Sequence, residues 1–310
     1  MIALVVYRSQ DIGHAMGIPR KTGFTLVEMV IAIVITGIVA GMASLVILNP
    51  LRTFVAVSER IELMDSMEYA LQTISRDFHA AAPNSVRVDS AEQALEFVHT
   101  VGGARYRTGG APEAALDFDA PDDSFYLLGT HLVPNDSDAH YQILIYNTGE
   151  YELNDNNEVD YNSPSPEVNL YYPSGSYHVI TPASTEVTLT EVGNQTQVTL
   201  DPAHHFSLPS RLQRAYIVDT PVTYLCDPIQ GTLTRYSNYA ISAVQPNNGS
   251  SSVFDDATAD ILLDQVTECV FHYQASLVLQ APIVTIELKM TSEHGESIKL
   301  IKRLQVQNAS

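Results

Sequence analysis

The chain has no tryptophan, two cysteines, and few cations for its size, and these scarcities limit what it can be. Against 36 Asp and Glu it sets only 16 Lys and Arg, a net charge of −20 over 310 residues. Such a balance repels phosphate backbones and anionic headgroups, so nucleic acid is excluded as a partner. Also missing are His-Glu-x-x-His, Gly-x-Ser-x-Gly, a phosphate loop and Cys-x-x-Cys, so no motif of the familiar enzyme classes is present. The adjacent His204-His205 follows Asp201-Pro202 and reads as a surface loop pair, because chain neighbours do not share a helix face. With no tryptophan, the aromatic content rests largely on 16 tyrosines. They fall mostly in the C-terminal two-thirds, which suits β structure.

The sequence does hold one long hydrophobic run. Phe24 to Leu48 is 25 residues without Lys or Arg and with one carboxylate, Glu28. At about 1.5 Å per residue a helix of that length reaches about 37 Å, enough for a hydrocarbon core of about 30 Å. A cleaved secretory signal has a shorter apolar region and a small-x-small site at its end, and neither fits. Arg20 and Lys21 precede the run and only Arg52 follows closely, which predicts a cytoplasmic N-terminus and an external remainder. Outside the cytosol two cysteines tend to pair, so a Cys226–Cys269 disulfide is expected. Glu28 is costly at membrane depth unless it has a partner or reaches the interface.

Arg20-Lys21-Thr22-Gly23-Phe24-Thr25-Leu26-Val27-Glu28 resembles the cleavage and methylation segment of type IV prepilins and of the pseudopilins of type II secretion. The resemblance implies cleavage by a prepilin peptidase between Gly23 and Phe24, N-methylation of Phe24, and an assembly role for Glu28. It makes residues 1–23 a leader, and its usual short form suggests translation from Met16 instead of Met1. Removing the leader takes away Arg8, Arg20, Lys21 and Asp11, leaving 13 basic against 35 acidic residues. The implied partners are other major and minor pilins, the inner-membrane assembly platform, and membrane lipid before assembly.

Beyond residues 24–48, the assembly helix, Asn49-Pro50 should disturb the helix, because proline removes a hydrogen bond. Phe54, Ile61, Met64, Met67, Leu71, Ile74 and Phe78 then recur at spacings of three, four or seven. They predict an amphipathic helix over 49–82, stopped by Pro83. From residue 83 to 310 the period shifts to two. Val187 and Leu189 answer Val198 and Leu200 across Gly193-Asn194, Val222 to Cys226 answer Leu233 to Tyr236, and Val284 to Met290 answer Ile298 and Leu300. These are three hairpins. Weaker strands are expected at 94–98, 115–118, 124–128 and 142–146. The fold class is therefore α+β: a long N-terminal helix packed on an antiparallel β-rich head.

Arg76-Asp77 with the Pro83-Asn-Ser-Val-Arg-Val88 segment is similar to minor pilins and pseudopilins of the J/W type. Residues 216–227, 231–236 and 262–273 resemble the biogenesis minor pilins of the mannose-sensitive haemagglutinin (MSHA) pilus. That likeness implies a subunit that starts fibre assembly or sits at its tip. Two alternatives are a tip adhesin that stacks Tyr151, Tyr161, Tyr171, Tyr172 and Tyr177 on a glycan, and a minor pseudopilin of a type II secretion system. No cofactor is expected, except that acidic loops at 117–123, 135–138 and 154–160 offer oxygen ligands of the kind Ca²⁺ takes. The best of them is Asn154, Asp155, Asn157 and Asp160, although no loop matches the EF-hand pattern.

Overall fold

The computed structural model describes residues 23–109, 115–132, 140–148, 151–153, 159–164, 168–172, 178–274 and 283–305. The chain divides into two compact units, Met1–Ala56 and Val57–Ser310. Helix α1, Leu26–His79, supplies residues to both. Pro50 lies inside it and does not end it; one missing backbone hydrogen bond is a local loss that a 54-residue helix tolerates. In the first unit, Leu26–Ala43 is exposed throughout and is long and apolar enough to cross a membrane.

The second unit is antiparallel β built on the last turns of α1. Its strands are β1 Arg87–Val88, β2 Ala94–Tyr106, β3 Asp122–Leu128, β4 Gln142–Ile145, β5 Tyr151–Leu153, β6 Val159–Pro164, β7 Glu186–Val192, β8 Gln195–His204, β9 Arg214–Asp227, β10 Thr232–Ser237, β11 Thr258–Leu263, β12 Val266–Gln274, β13 Ile283–Thr291 and β14 Ser297–Gln305. A nine-stranded sheet runs β11-β10-β9-β2-β3-β8-β7, with β1 on β2 and β4 on β9. A three-stranded sheet, β12-β13-β14, and a β5–β6 pair complete the head.

All three expected hairpins form in the expected register. Val187 faces Leu200 and Leu189 faces Val198; Cys226 faces Leu233; Leu288 faces Leu300 and Met290 faces Ile298. All three turns need positive φ, and glycine supplies it at Gly193 (64°), Gly231 (73°) and Gly295 (89°). In β13, Val284, Ile286, Leu288 and Met290 are buried, as their alternation requires.

Other expectations are corrected. Residues 115–118 are not a strand. Asp117 N–H donates to Asp122 Oδ2, and Asp119 N–H donates to Asp117 Oδ1, so side chains claim the donors that a ladder would use. Leu116 is buried there with its N–H donating to the Arg107 carbonyl at 3.1 Å outside any strand ladder, and Phe118 packs on Tyr106 with ring centroids 5.5 Å apart. The stripe on α1 is also different. Met67, Leu71, Ile74 and Phe78 are buried, but Leu63 and Ala70 join them while Phe54, Ile61 and Met64 are exposed. Counting back from Met67 by four reaches Leu63, on the same face as Met67 and Ile74; counting back by threes drifts around the helix.

The buried face of α1 enters one core with Leu95 and Phe97 of β2, Val222 and Tyr224 of β9, and Phe271, Val284, Ile286 and Leu288 of the smaller sheet. Phe78 meets Phe97 edge-on at 5.7 Å. Helix and sheet are also tied by charge: buried Asp77 accepts from Tyr224 Oη at 2.8 Å and from Arg235 Nε at 2.7 Å. Cys226 of β9 and Cys269 of β12 form a disulfide joining the two sheets, with Cα atoms 6.2 Å apart. A second core fills the far end of the large sheet around Tyr106, Phe125, Ile143, Ile217 and Phe206.

Candidate functional site

The apolar helix begins with a short polar device. Met29 N–H bonds to the Thr25 carbonyl at 3.1 Å, the first backbone bond of α1. Thr25 Oγ1 accepts from Glu28 N–H at 3.2 Å, and Glu28 Oε2 accepts from Thr25 N–H at 3.5 Å. This reciprocal pair is a capping box, which satisfies two of the donors a helix start leaves open. The carboxylate also sits in the first turn, where the helix dipole favours negative charge. Thr25-x-x-Glu28 is legible in the sequence as a Thr-x-x-Glu cap, a signal separate from the charge of Glu28.

Glu28 is exposed, as are Gly23 and Phe24, and Phe24 is 80% exposed. A Cβ at Gly23 would meet no atom within 4 Å. The segment thus presents an accessible glycine–phenylalanine bond, an exposed aromatic and an anchored carboxylate within one and a half turns. Such an arrangement can be approached by an enzyme, and it can hold a cation against Glu28. Arg20, Lys21 and Thr22, with the rest of residues 1–22, lie outside the described residues. Gly37 and Gly41 face open space one turn apart.

The remaining candidates scatter. Asn154, Asp155 and Asn157 lie outside the described residues, and for Asp160 only its backbone in β6 is described. Residues 135–138 are also outside them. Among the described residues, no three His, Cys, Asp or Glu side chains group to hold a metal ion. His204-His205, expected at the surface, straddles the end of β8: His204 is its last residue and His205 follows it. His204 is buried against Phe206, ring centroids 4.6 Å apart, while His205 Nε2 lies 2.9 Å from the Phe118 carbonyl. Burial, and then the neighbouring His178 and His205, push the His204 imidazole down from 6.5 to about 4.

Tyr171 is corrected too. It is buried, with its hydroxyl donating to the Ser85 carbonyl at 2.7 Å and the Arg87 guanidinium carbon 3.6 Å from its ring centre. It cannot stack on a glycan. Tyr172 is partly exposed, and Tyr177 and the side chains of Tyr151 and Tyr161 lie outside the described residues. The Arg87 that covers Tyr171 belongs to a buried group the sequence did not announce. Its Nη2 lies 2.9 Å from Glu96 Oε2, and Glu96 is fully buried. Burial, only partly offset by Arg87, raises the Glu96 carboxyl from 4.5 to about 7.

Comparison with known proteins finds one family. Residues 18–44 match the Prokaryotic N-terminal methylation motif. No curated protein and no solved structure matches the chain. The matched segment holds Gly23, Phe24, the Thr25–Glu28 cap and the whole apolar stretch Leu26–Ala43. The chain therefore carries, ahead of a β-rich head, the N-terminal signal of the type IV pilins and pseudopilins.

Proposed function

We propose that this chain is a minor pilin of an MSHA-type type IV pilus, a structural subunit that helps begin the fibre or caps its tip. The observation that carries the pilin part is the methylation motif at residues 18–44 on an exposed, membrane-length helix. The MSHA part rests on the likeness of residues 216–227, 231–236 and 262–273, which hold both cysteines. Before assembly the subunit spans the inner membrane once, with the N-terminus cytoplasmic and the head periplasmic. The peptidase cuts between Gly23 and Phe24, and Phe24 is then methylated.

The chemistry of assembly follows from the cost of charge in lipid. Cleavage creates an ammonium at Phe24, and the nearest fixed anion is Glu28. In apolar surroundings each is expensive alone, so pairing Glu28 of one subunit with the new ammonium of the next fixes axial register with little contact area. The Thr25 cap holds the carboxylate at the helix start in the meantime. Glu28→Ala should leave cleavage intact and abolish incorporation into fibres, and replacing Gly23 with a bulky residue should block cleavage. Both are read by precursor size on gels and by fibre yield. Normal fibres from both variants would sink the reading. Loss of protein export with intact pili would instead assign the subunit to a pseudopilus, and intact fibres that no longer adhere would assign it to adhesion.

A further inference from the structure

The head leaves two dissimilar sheet edges. Among the described residues β11 pairs only with β10, and β14 pairs only with β13. A free edge offers a row of unpaired N–H and C=O groups, which folded proteins usually blunt. Here each edge is charged, with opposite signs. Asp255, Asp256, Asp260 and Asp264 are exposed along and around β11. On the other side, the three lysines that follow Lys21 in the sequence, Lys289, Lys299 and Lys302, all lie on β13 and β14, with Arg303 beside them.

These cations are not equally occupied. Lys299 Nζ is 2.7 Å from Glu287 and 3.5 Å from Glu268, and Lys289 is 4.0 Å from Glu268. Lys302 and Arg303 are exposed and make no ion pair among the described residues. Next to them Ile301 is 58% exposed, and next to Asp260 Ile261 is 68% exposed. Each edge thus carries one exposed isoleucine beside one charge, Asp260 having only a long 3.9 Å contact with Arg235 of its own chain, and the charges are complementary. Two other edges lack this arrangement: the centre of β7 is Thr188-Leu189-Thr190 and its Glu191 is taken up by His131 at 3.0 Å, while on β12 Glu268 lies 3.5 Å from Lys299 and His272 lies 2.7 Å from Glu92.

We propose that β14 of one copy pairs with β11 of a second copy, extending one head's sheet into the next. The antiparallel register that sets Ile301 against Ile261 also sets Lys302 against Asp260 and Leu300 against Leu262. Directly opposed apolar and opposite-charge pairs are the favourable ones across strands. Like edges lack this match: the register that sets Ile301 against itself opposes Arg303 to Lys299, and β11 on itself gives Asp260 no cation to face. Because the two edges differ, the contact is head-to-tail and leaves each copy one edge for a further neighbour. The pairing concerns the heads alone and holds whether or not the chain enters a pilus.

The test uses the full chain in membranes of a host that has no fibre-assembly machinery, so that its outcome is independent of the proposed pilin role. One epitope-tagged copy carries Ile261→Cys, a differently tagged copy carries Ile301→Cys, and oxidation traps neighbours. A mixed dimer is expected, with neither variant cross-linking to itself. Lys302→Glu on the Ile301→Cys copy should lower the mixed dimer about tenfold, and Asp260→Lys on the other copy should restore it. Absence of the mixed dimer while Cys226–Cys269 remains closed overturns the proposal. So does a mixed dimer indifferent to Lys302→Glu.

Discussion

Glu96 and His204 should pull the stability of the head in opposite directions over the same pH range. The Glu96 carboxyl is raised from 4.5 to about 7. Between those values the folded chain binds more protons than the unfolded one, so stability falls as pH rises through the window. At about 1.4 kcal/mol per pH unit the full loss is about 3 kcal/mol. The His204 imidazole is lowered from 6.5 to about 4. Across that window the unfolded chain binds more protons, so stability rises with pH by a similar about 3 kcal/mol. The two groups share no partner, Glu96 facing Arg87 and Tyr239 while His204 faces His178, His205 and Phe206, so their effects should add.

The native chain should therefore change little between pH 5 and 6.5 on account of these two groups. Glu96→Gln removes the falling limb, and its stability should rise by about 1.5 kcal/mol over that interval relative to the native curve. His204→Gln should fall by about the same amount and keep falling to pH 7. Urea unfolding of the full chain in detergent micelles at pH 5, 5.75, 6.5 and 8 measures this, and difference curves against the native chain cancel every other titrating group. Parallel curves for Glu96→Gln and the native chain would refute the claim that Glu96 is held protonated by burial.

Asp77→Ala leaves Arg235 and the Tyr224 hydroxyl partly buried without their shared acceptor and should cost about 3 kcal/mol in urea unfolding. Phe78→Ala, next to it, should cost a similar about 3–4 kcal/mol by opening a cavity but should leave the salt dependence unchanged. Gly102→Ala drives a Cβ into the Leu132 backbone carbonyl. A backbone atom must then move, and the thermal midpoint should drop by several degrees, whereas Gly193→Asn, at a two-residue turn, should be nearly neutral. Replacing Cys226 and Cys269 by serine should lower stability by about 4 kcal/mol, for a loop of 43 residues. Two free thiols in exported, non-reduced protein would contradict the disulfide outright.

Local rules made much of this protein legible. The apolar run announces its own helix because nothing else satisfies 25 consecutive backbones in lipid. Each of the three hairpins carries its turn residues and its alternation within about twenty positions, so partner and register follow from the sequence. The 3.6-residue period located the amphipathic helix but not its buried face, because Leu63 and Met64 are equally apolar and only the sheet chooses between them. Strand β2 was legible only in its first residues. Beyond Val98 it passes two register shifts and the Gly102-Gly103 pair, where the side-chain alternation that marks a strand is lost.

The motif from Gly23 to Glu28 was determined by sequence alone: residue identity suffices where a peptidase reads a short exposed segment and a carboxylate interrupts an apolar helix. Tertiary structure decided the rest, for one physical reason. Burial, and the meeting of residues distant in the chain, are not local properties. Asp77 finds Arg235 across 158 positions, Arg87 covers Tyr171, and Glu96 loses its water. The oppositely charged edges of β11 and β14 exist only once the sheets have ended there. Spacing in the chain signals none of these, because the energy of a charge depends on what surrounds it after folding.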